Sequence, residues 1–186
     1  MKIVERKSIF ETNSSSTHTL AIRRYRTDKN IEDYINKHGF GIAVLGGQFG
    51  WEDEVYNDPV TKLSYLYSII CSGLYDEFVI RKEQMRRILV NAGFNPVFEE
   101  MRPITYSDSP DADTYVEPLN GRYVYVDHSH QWSDNFLEKV FEDEDLFLSF
   151  VFSPDSYIVT TNDNRDEDFE PEIPEFPETE YYYKGN

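Results

Sequence analysis

Residues 58–73 read DPVTKLSYLYSIICSG, a segment with a helix start, an apolar stripe and a helix stop. Asp58 followed by Pro59 is a helix start: a carboxylate can accept from the free N–H groups of a first turn, where proline also fits. Val60, Leu63, Leu66, Tyr67 and Ile70 recur at helical spacing and mark a core-facing stripe, and Gly73 permits an end. Cys71, the only cysteine, lies in the same apolar pattern, so neither an intrachain disulfide nor a cysteine metal cluster is possible and a buried thiol is expected. A reducing compartment fits.

Working outward, a second helix is expected over about 81–92 from Met85, Ile88, Leu89 and Ala92, closed by Gly93. Its Arg81, Lys82, Arg86 and Arg87 form a basic strip able to seat an acidic partner or the chain's own tail. Upstream, Thr27 or Asp28 caps a helix carrying Ile31, Tyr34, Ile35 and His38, with Gly39 as its stop. Ile42–Leu45 reads as a short buried strand. Gly46, Gly47 and Gly50 after it match neither a phosphate loop nor a dinucleotide fingerprint. Downstream, Val97 begins a strand, 103–113 reads as a loop, and Tyr115–Pro118 and Tyr123–Val126 flank Asn120-Gly121 as an expected β-hairpin. Ser133 caps a helix holding Phe136, Leu137, Val140 and Phe141. The run 145–152 is apolar enough to be helix or buried strand, and Tyr157–Thr161 reads as the final strand.

The expected fold is a single α+β domain over 1–161, a small mixed or antiparallel sheet packed with three to five helices, followed by an acidic extended tail over 162–186. In that tail Pro171, Pro174 and Pro177 recur with a polyproline II period shared by Ile173 and Phe176. With 14 Tyr and 13 Phe the core should be strongly aromatic although mean hydropathy is -0.61. No secretory or membrane-spanning apolar run is present, so a cytoplasmic protein without membrane partners is expected.

Charge bears most directly on function. The net value of -17, from 35 acidic and 18 basic residues, repels nucleic acid and anionic lipid but suits a basic protein or nucleic-acid-handling complex. Candidate partner-binding residues are Asp134, Glu138, Glu142, Asp143, Glu144 and Asp145, then Asp166, Glu167, Asp168, Glu170, Ile173, Phe176, Tyr181, Tyr182 and Tyr183 of the tail. The opening residues are locally basic, with Lys2, Arg6, Lys7, Arg23, Arg24 and Arg26 against Glu5 and Glu11.

Three polar clusters stand at expected strand ends. The first is Glu11 to His18, with Thr12, Asn13, Ser14, Ser15, Ser16 and Thr17 between two strands expected over 1–9 and 19–25; the others are Asp127 to His130 and Thr161 to Asn164. If the parent strands are neighbours, Glu11, Asn13, Ser14, Ser15, Ser16, Thr17, His18, Asp127, His128, Asn162, Asp163 and Asn164 form a candidate pocket. The hydroxyl-rich loop can cap its own backbone or receive an anion. His18, His128, His130 and Asp127 or Asp163 have the chemistry of metal ligands but not a specific spacing, and no nucleophile-elbow signature accompanies the serines. No metal, cofactor or catalytic residue is assigned.

The run FETNSSSTHTLAI, Phe10–Ile22, resembles the N-terminus of a group of small uncharacterised proteins encoded by phages and mobile elements of Gram-positive bacteria. Tyr125–His128 and Asn162–Asn164 are compatible with the same group. The resemblance implies a phage-type accessory protein in a bacterial host cytoplasm, acting by protein binding. An acidic inhibitor or nucleic-acid mimic directed at a host or defence nucleic-acid-handling protein is one form of that action. The alternative is an enzyme or binding domain for a phosphorylated small molecule using Asn13–His18.

Overall fold

Asp58 starts the central helix as expected: its carboxylate accepts from the Thr61 N–H at 2.8 Å, and α2 runs Pro59–Cys71. The structure, a computed structural model, describes residues 16–24, 27–50, 52, 54–107, 112–127, 133–162 and 179–184. The buried surface of α2 is wider than a stripe. Lys62, Leu63 and every residue from Tyr65 to Cys71 are buried, while Val60 in the first turn is 44% exposed and leaves the expected core set. A helix buried nearly all round must be enclosed by other elements.

Among the described residues those elements are four further helices and four small sheets, giving one small α+β domain. Helix α1 covers Asp28–His38 and α3 covers Tyr75–Asn91. The latter begins six residues before the expected start because Phe78 adds a buried turn ahead of Met85, Ile88 and Leu89. Helix α4, Ser133–Glu142, buries Phe136, Leu137, Val140 and Phe141 as one face. The apolar run after it is helix, α5, Glu144–Phe152: the Asp143 side chain caps the Leu146 N–H at 3.0 Å. Aromatic rings fill much of the interior, with Phe94 stacked on Phe152 at 4.9 Å and Tyr34 edge-on to both.

The main sheet has the order β10-β1-β9-β4, all neighbours antiparallel, formed by Thr179–Lys184, Ser16–Arg23, Tyr157–Asn162 and Glu54–Tyr56. Tyr157–Asn162 is therefore not the last strand. The end of the acidic tail returns and pairs along Thr19–Arg23, with a register irregularity at Leu20/Ala21. The expected strand over 1–9 lies outside the described residues. In a second sheet, β2 (Gly41–Val44) runs parallel to β5 (Asn95–Phe98).

The expected hairpin does not form. Gly121 makes its turn, at φ 71° with its N–H on the Pro118 carbonyl, but the flanking strands separate. Strand β7 (Thr114–Pro118) pairs with β6 (Met101–Thr105), while β8 (Tyr125–Val126) runs parallel to β3 (Gln48–Phe49). Strand β6 also takes in Pro103–Thr105, the start of the expected loop. Arg122 supplies the diverting force: it donates to Glu99 at 2.7 and 2.9 Å and to the Gly46 carbonyl at 2.8 Å. Burial raises the Glu99 carboxyl, but the hydrogen bonds from Arg122 and the Gly46 N–H outweigh it and hold the group below its ordinary range.

Lys62 ties α2 to the turn between α5 and β9. Its buried ammonium donates to the Ser153 and Ser156 carbonyls at 2.7 and 2.9 Å. Burial lowers its pKa from 10.5 to about 7, against the opposing pull of Asp58 and Asp155. A neutral amine keeps two N–H groups, enough for both carbonyls, so deprotonation removes the buried charge without breaking the clamp.

Two predictions follow from this architecture. Because the folded pKa lies below the unfolded value of 10.5, the unfolded chain binds more protons between pH 7 and 10.5, and the Lys62 contribution to stability rises with pH across that window. In urea titrations the stability of the native chain relative to Lys62→Met should rise over that range; a constant difference would exclude a depressed Lys62. Separately, removing residues 179–186 strips β1 of one neighbour and should cost about 2–4 kcal/mol, at roughly 0.5–1.5 kcal/mol per lost ladder bond. An unchanged denaturation midpoint would show that this edge contributes nothing.

Candidate functional site

Two of the three polar clusters meet through the main sheet. In the β1–β9 register Ser16 lies opposite Asn162, Thr17 opposite Thr161 and His18 opposite Thr160. Alternation then sends His18, Leu20 and Ile22 inward. His18 is 1% exposed, and its Nδ1 is 2.9 Å from the hydroxyl of Tyr65 on α2. The ring of Phe49 packs on Tyr65 at 5.1 Å and on Tyr56 at 5.7 Å, both edge-on. The Asp127 N–H donates to the Phe49 carbonyl at 2.9 Å, so the third cluster begins one packed ring away from the His18–Tyr65 pair.

Glu52 joins the same neighbourhood. It accepts from the Tyr56 hydroxyl at 2.9 Å, and its carbonyl accepts from the Thr160 hydroxyl at 2.9 Å. Burial first, and then the bond to Glu52, push the Tyr56 phenol well above its ordinary value. Of the candidate pocket residues, Glu11, Asn13, Ser14, Ser15, His128, Asp163 and Asn164 lie outside the described residues. Ser16, Thr17 and Asn162 are described as backbone only. Among the described residues no three or more His, Cys, Asp or Glu side chains group as metal ligands. His38 packs its ring on Tyr34 at 4.6 Å at the end of α1, and burial raises the Cys71 thiol above its ordinary range.

The proposed partner-binding acids divide by environment. Glu138 and Glu142 are exposed on the outer side of α4, and Asp145 is exposed in the first turn of α5. Asp143 is engaged internally: besides its cap it accepts from Arg24 at 2.6 Å. Burial raises its carboxyl, and the Arg24 and backbone bonds outweigh that and lower it. Glu144 accepts from Asn91 at 3.3 Å. The backbone of Asp134 lies in α4, and that of Tyr181, Tyr182 and Tyr183 lies in β10. Asp166, Glu167, Asp168, Glu170, Ile173 and Phe176 lie outside the described residues.

The basic strip on α3 lies over aromatic faces. Lys82 sits over Phe78 and Phe98 at 5.4 and 5.5 Å, Arg86 over Phe98 at 4.8 Å, and Arg81 over Phe141 at 5.6 Å. Burial and the neighbouring Arg86 lower the Lys82 pKa.

An open groove of about 520 Å³ between α1, α5 and the end of α3 was not evident from sequence. Ile31, Ile35 and Leu148 form its apolar floor, the 59%-exposed Phe40 its lip, and Asp28, Glu32 and Glu144 its acidic wall. The available signal was the combination of Asp28 and Glu32 with Ile31 and Ile35 on adjoining rows of α1, which periodicity alone assigns to a cap and a core stripe.

No family model, curated protein or solved structure matches the chain.

The His18–Tyr65 bond joins the sheet to the central helix inside the core. Tyr65→Phe should therefore lower stability by about 1–3 kcal/mol, the cost of removing one partner from a buried polar group. Thermal unfolding followed by circular dichroism reads this directly, and an unchanged midpoint would remove the pair from the stabilising contacts.

Proposed function

We propose that this chain is a phage-type accessory protein that works by binding another protein, a basic one that handles nucleic acid. The observation that carries this reading is how the charge is disposed. Arg23, Arg24, Arg102 and Arg122 each pair with a carboxylate of the same chain, and Lys62 is fully buried. Glu32, Asp33, Glu138, Glu142 and Asp145 are exposed in a chain of net charge -17. Such a field repels phosphate backbones and accelerates encounter with a positively charged groove. Occupying a groove that otherwise holds nucleic acid would make the protein an inhibitor by mimicry, acting in the cytoplasm of a bacterial host. The alternative use of Asn13–His18 for a phosphorylated small molecule gains no support from His18, whose ring is buried against Tyr65.

The test is retention from bacterial host lysates on the immobilised full chain at about 50 and 300 mM salt, on either side of the physiological Debye length of about 8 Å. A basic nucleic-acid-handling protein should be held at low salt, released at high salt and displaced by DNA. Glu138→Lys with Glu142→Lys should weaken its retention. Absence of any such partner across the lysates, or retention indifferent to salt, would overturn the reading.

A further inference from the structure

We infer that the groove between α1, α5 and the end of α3 receives a cationic amphipathic segment of the partner protein, its apolar side chains on Ile31, Ile35 and Leu148 and its lysines or arginines beside Glu32 and Glu144. This rests on the protein-binding reading above and names the surface and the chemistry of what it takes. The groove has two features that select the same occupant. Its floor is apolar and continuous with a large exposed ring, Phe40, which favours burial against a hydrophobic side chain. Its charged lining residues, Asp28, Glu32 and Glu144, are all acidic, with no lysine or arginine among the described lining residues.

Charge complementarity excludes the neighbouring possibilities on physical grounds. An acidic peptide or a nucleic acid meets like charge at the wall and again in the field of the whole chain. A second copy carries the same -17 and is repelled as it approaches. A basic segment with one apolar face is attracted at long range and gains hydrophobic contact on arrival, the helix-in-groove mode of recognition.

The probe is a fluorescently labelled synthetic helix of leucine and lysine with its leucines on one face, titrated with the full chain by fluorescence anisotropy. A peptide of the same composition in scrambled order is the control. The amphipathic probe should bind about tenfold more tightly than the scrambled one, since charge alone does not use the floor. Phe40→Ser, at an exposed position, and Glu32→Lys with Glu144→Gln should each weaken it about tenfold, while Glu77→Lys with Glu100→Gln, the same change of charge at two exposed acids outside the groove, should change it less than about twofold.

Equal binding of ordered and scrambled peptides, or equal loss in the groove variant and the Glu77/Glu100 control, would overturn the groove and leave the salt-sensitive nucleic-acid-handling partner untouched. Absence of probe binding at about 50 mM salt would overturn it as well. So would a dimer in sedimentation that Phe40→Ser dissociates, because the occupant would then be a second copy. If the probe binds as expected but no lysate partner is retained, the groove stands and the nucleic-acid-handling identity of the partner falls.

Discussion

One buried ammonium ties the central helix to the turn that leads from α5 into the main sheet. Lys62 reaches from the first turn of the central helix to the Ser153 and Ser156 carbonyls, and the turn that carries them opens strand β9. The same turn is braced three times more: the Ser156 hydroxyl donates to the Ser149 carbonyl at 2.8 Å and accepts the Arg23 N–H at 3.0 Å, while the Arg23 side chain pairs with Asp155. Helix α5, strand β1 and helix α2 thus converge on four consecutive residues. Burying the charge is costly, and the lowered pKa registers that cost; taking the ammonium away from the buried Ser156 carbonyl would also be costly, whereas the Ser153 carbonyl keeps the Ser156 N–H at 3.2 Å. Directional bonds at a site that rejects misplacement set where β9 begins relative to α2.

Once β9 is placed, the rest of the sheet follows. Strands β1 and β4 pair on either side of it, which brings His18 across from Thr160 and over Tyr65. The polar residues of the expected pocket nearest the core therefore act as a second seam between sheet and helix. A histidine beside a run of serines suggests chemistry when read along the chain, but strand alternation turns it inward, where a hydrogen-bonded imidazole is a packing element.

Much of the fold was legible because the signals were local. The Asp58-Pro59 start, the face of α4, the stop at Gly39 and strand β9 depend on neighbours within a few positions, and sequence reports those well. The α3 start, the helical state of 144–152 and the role of Lys62 depend on what surrounds each segment: Phe78 needs a core to enter, and Asp143 declares itself as a cap by its geometry. The failed hairpin is the clearest case. Asn120-Gly121 does turn the chain, but a turn sets only local direction; the Arg122 bonds to Glu99 and Gly46, together with the fit of Val124 against Gly46, where a Cβ would stand 2.5 Å from a methyl group, carry the next strand to a different partner.

The candidate interaction surface was less legible for a related reason. Composition reports total charge, whereas recognition depends on what remains after internal pairing. Asp143 and Glu99 are acids in the count yet serve the fold, one capping α5 and holding Arg24, the other anchoring Arg122. Glu32 and Glu144 gain their meaning from an apolar floor built by two helices more than a hundred positions apart in the chain. A cap or clamp acid is committed when the chain folds, whereas an exposed acid beside unfilled apolar surface still has binding energy to release. That distinction, more than the size of the net charge, separates the structural carboxylates of this protein from those available to a partner.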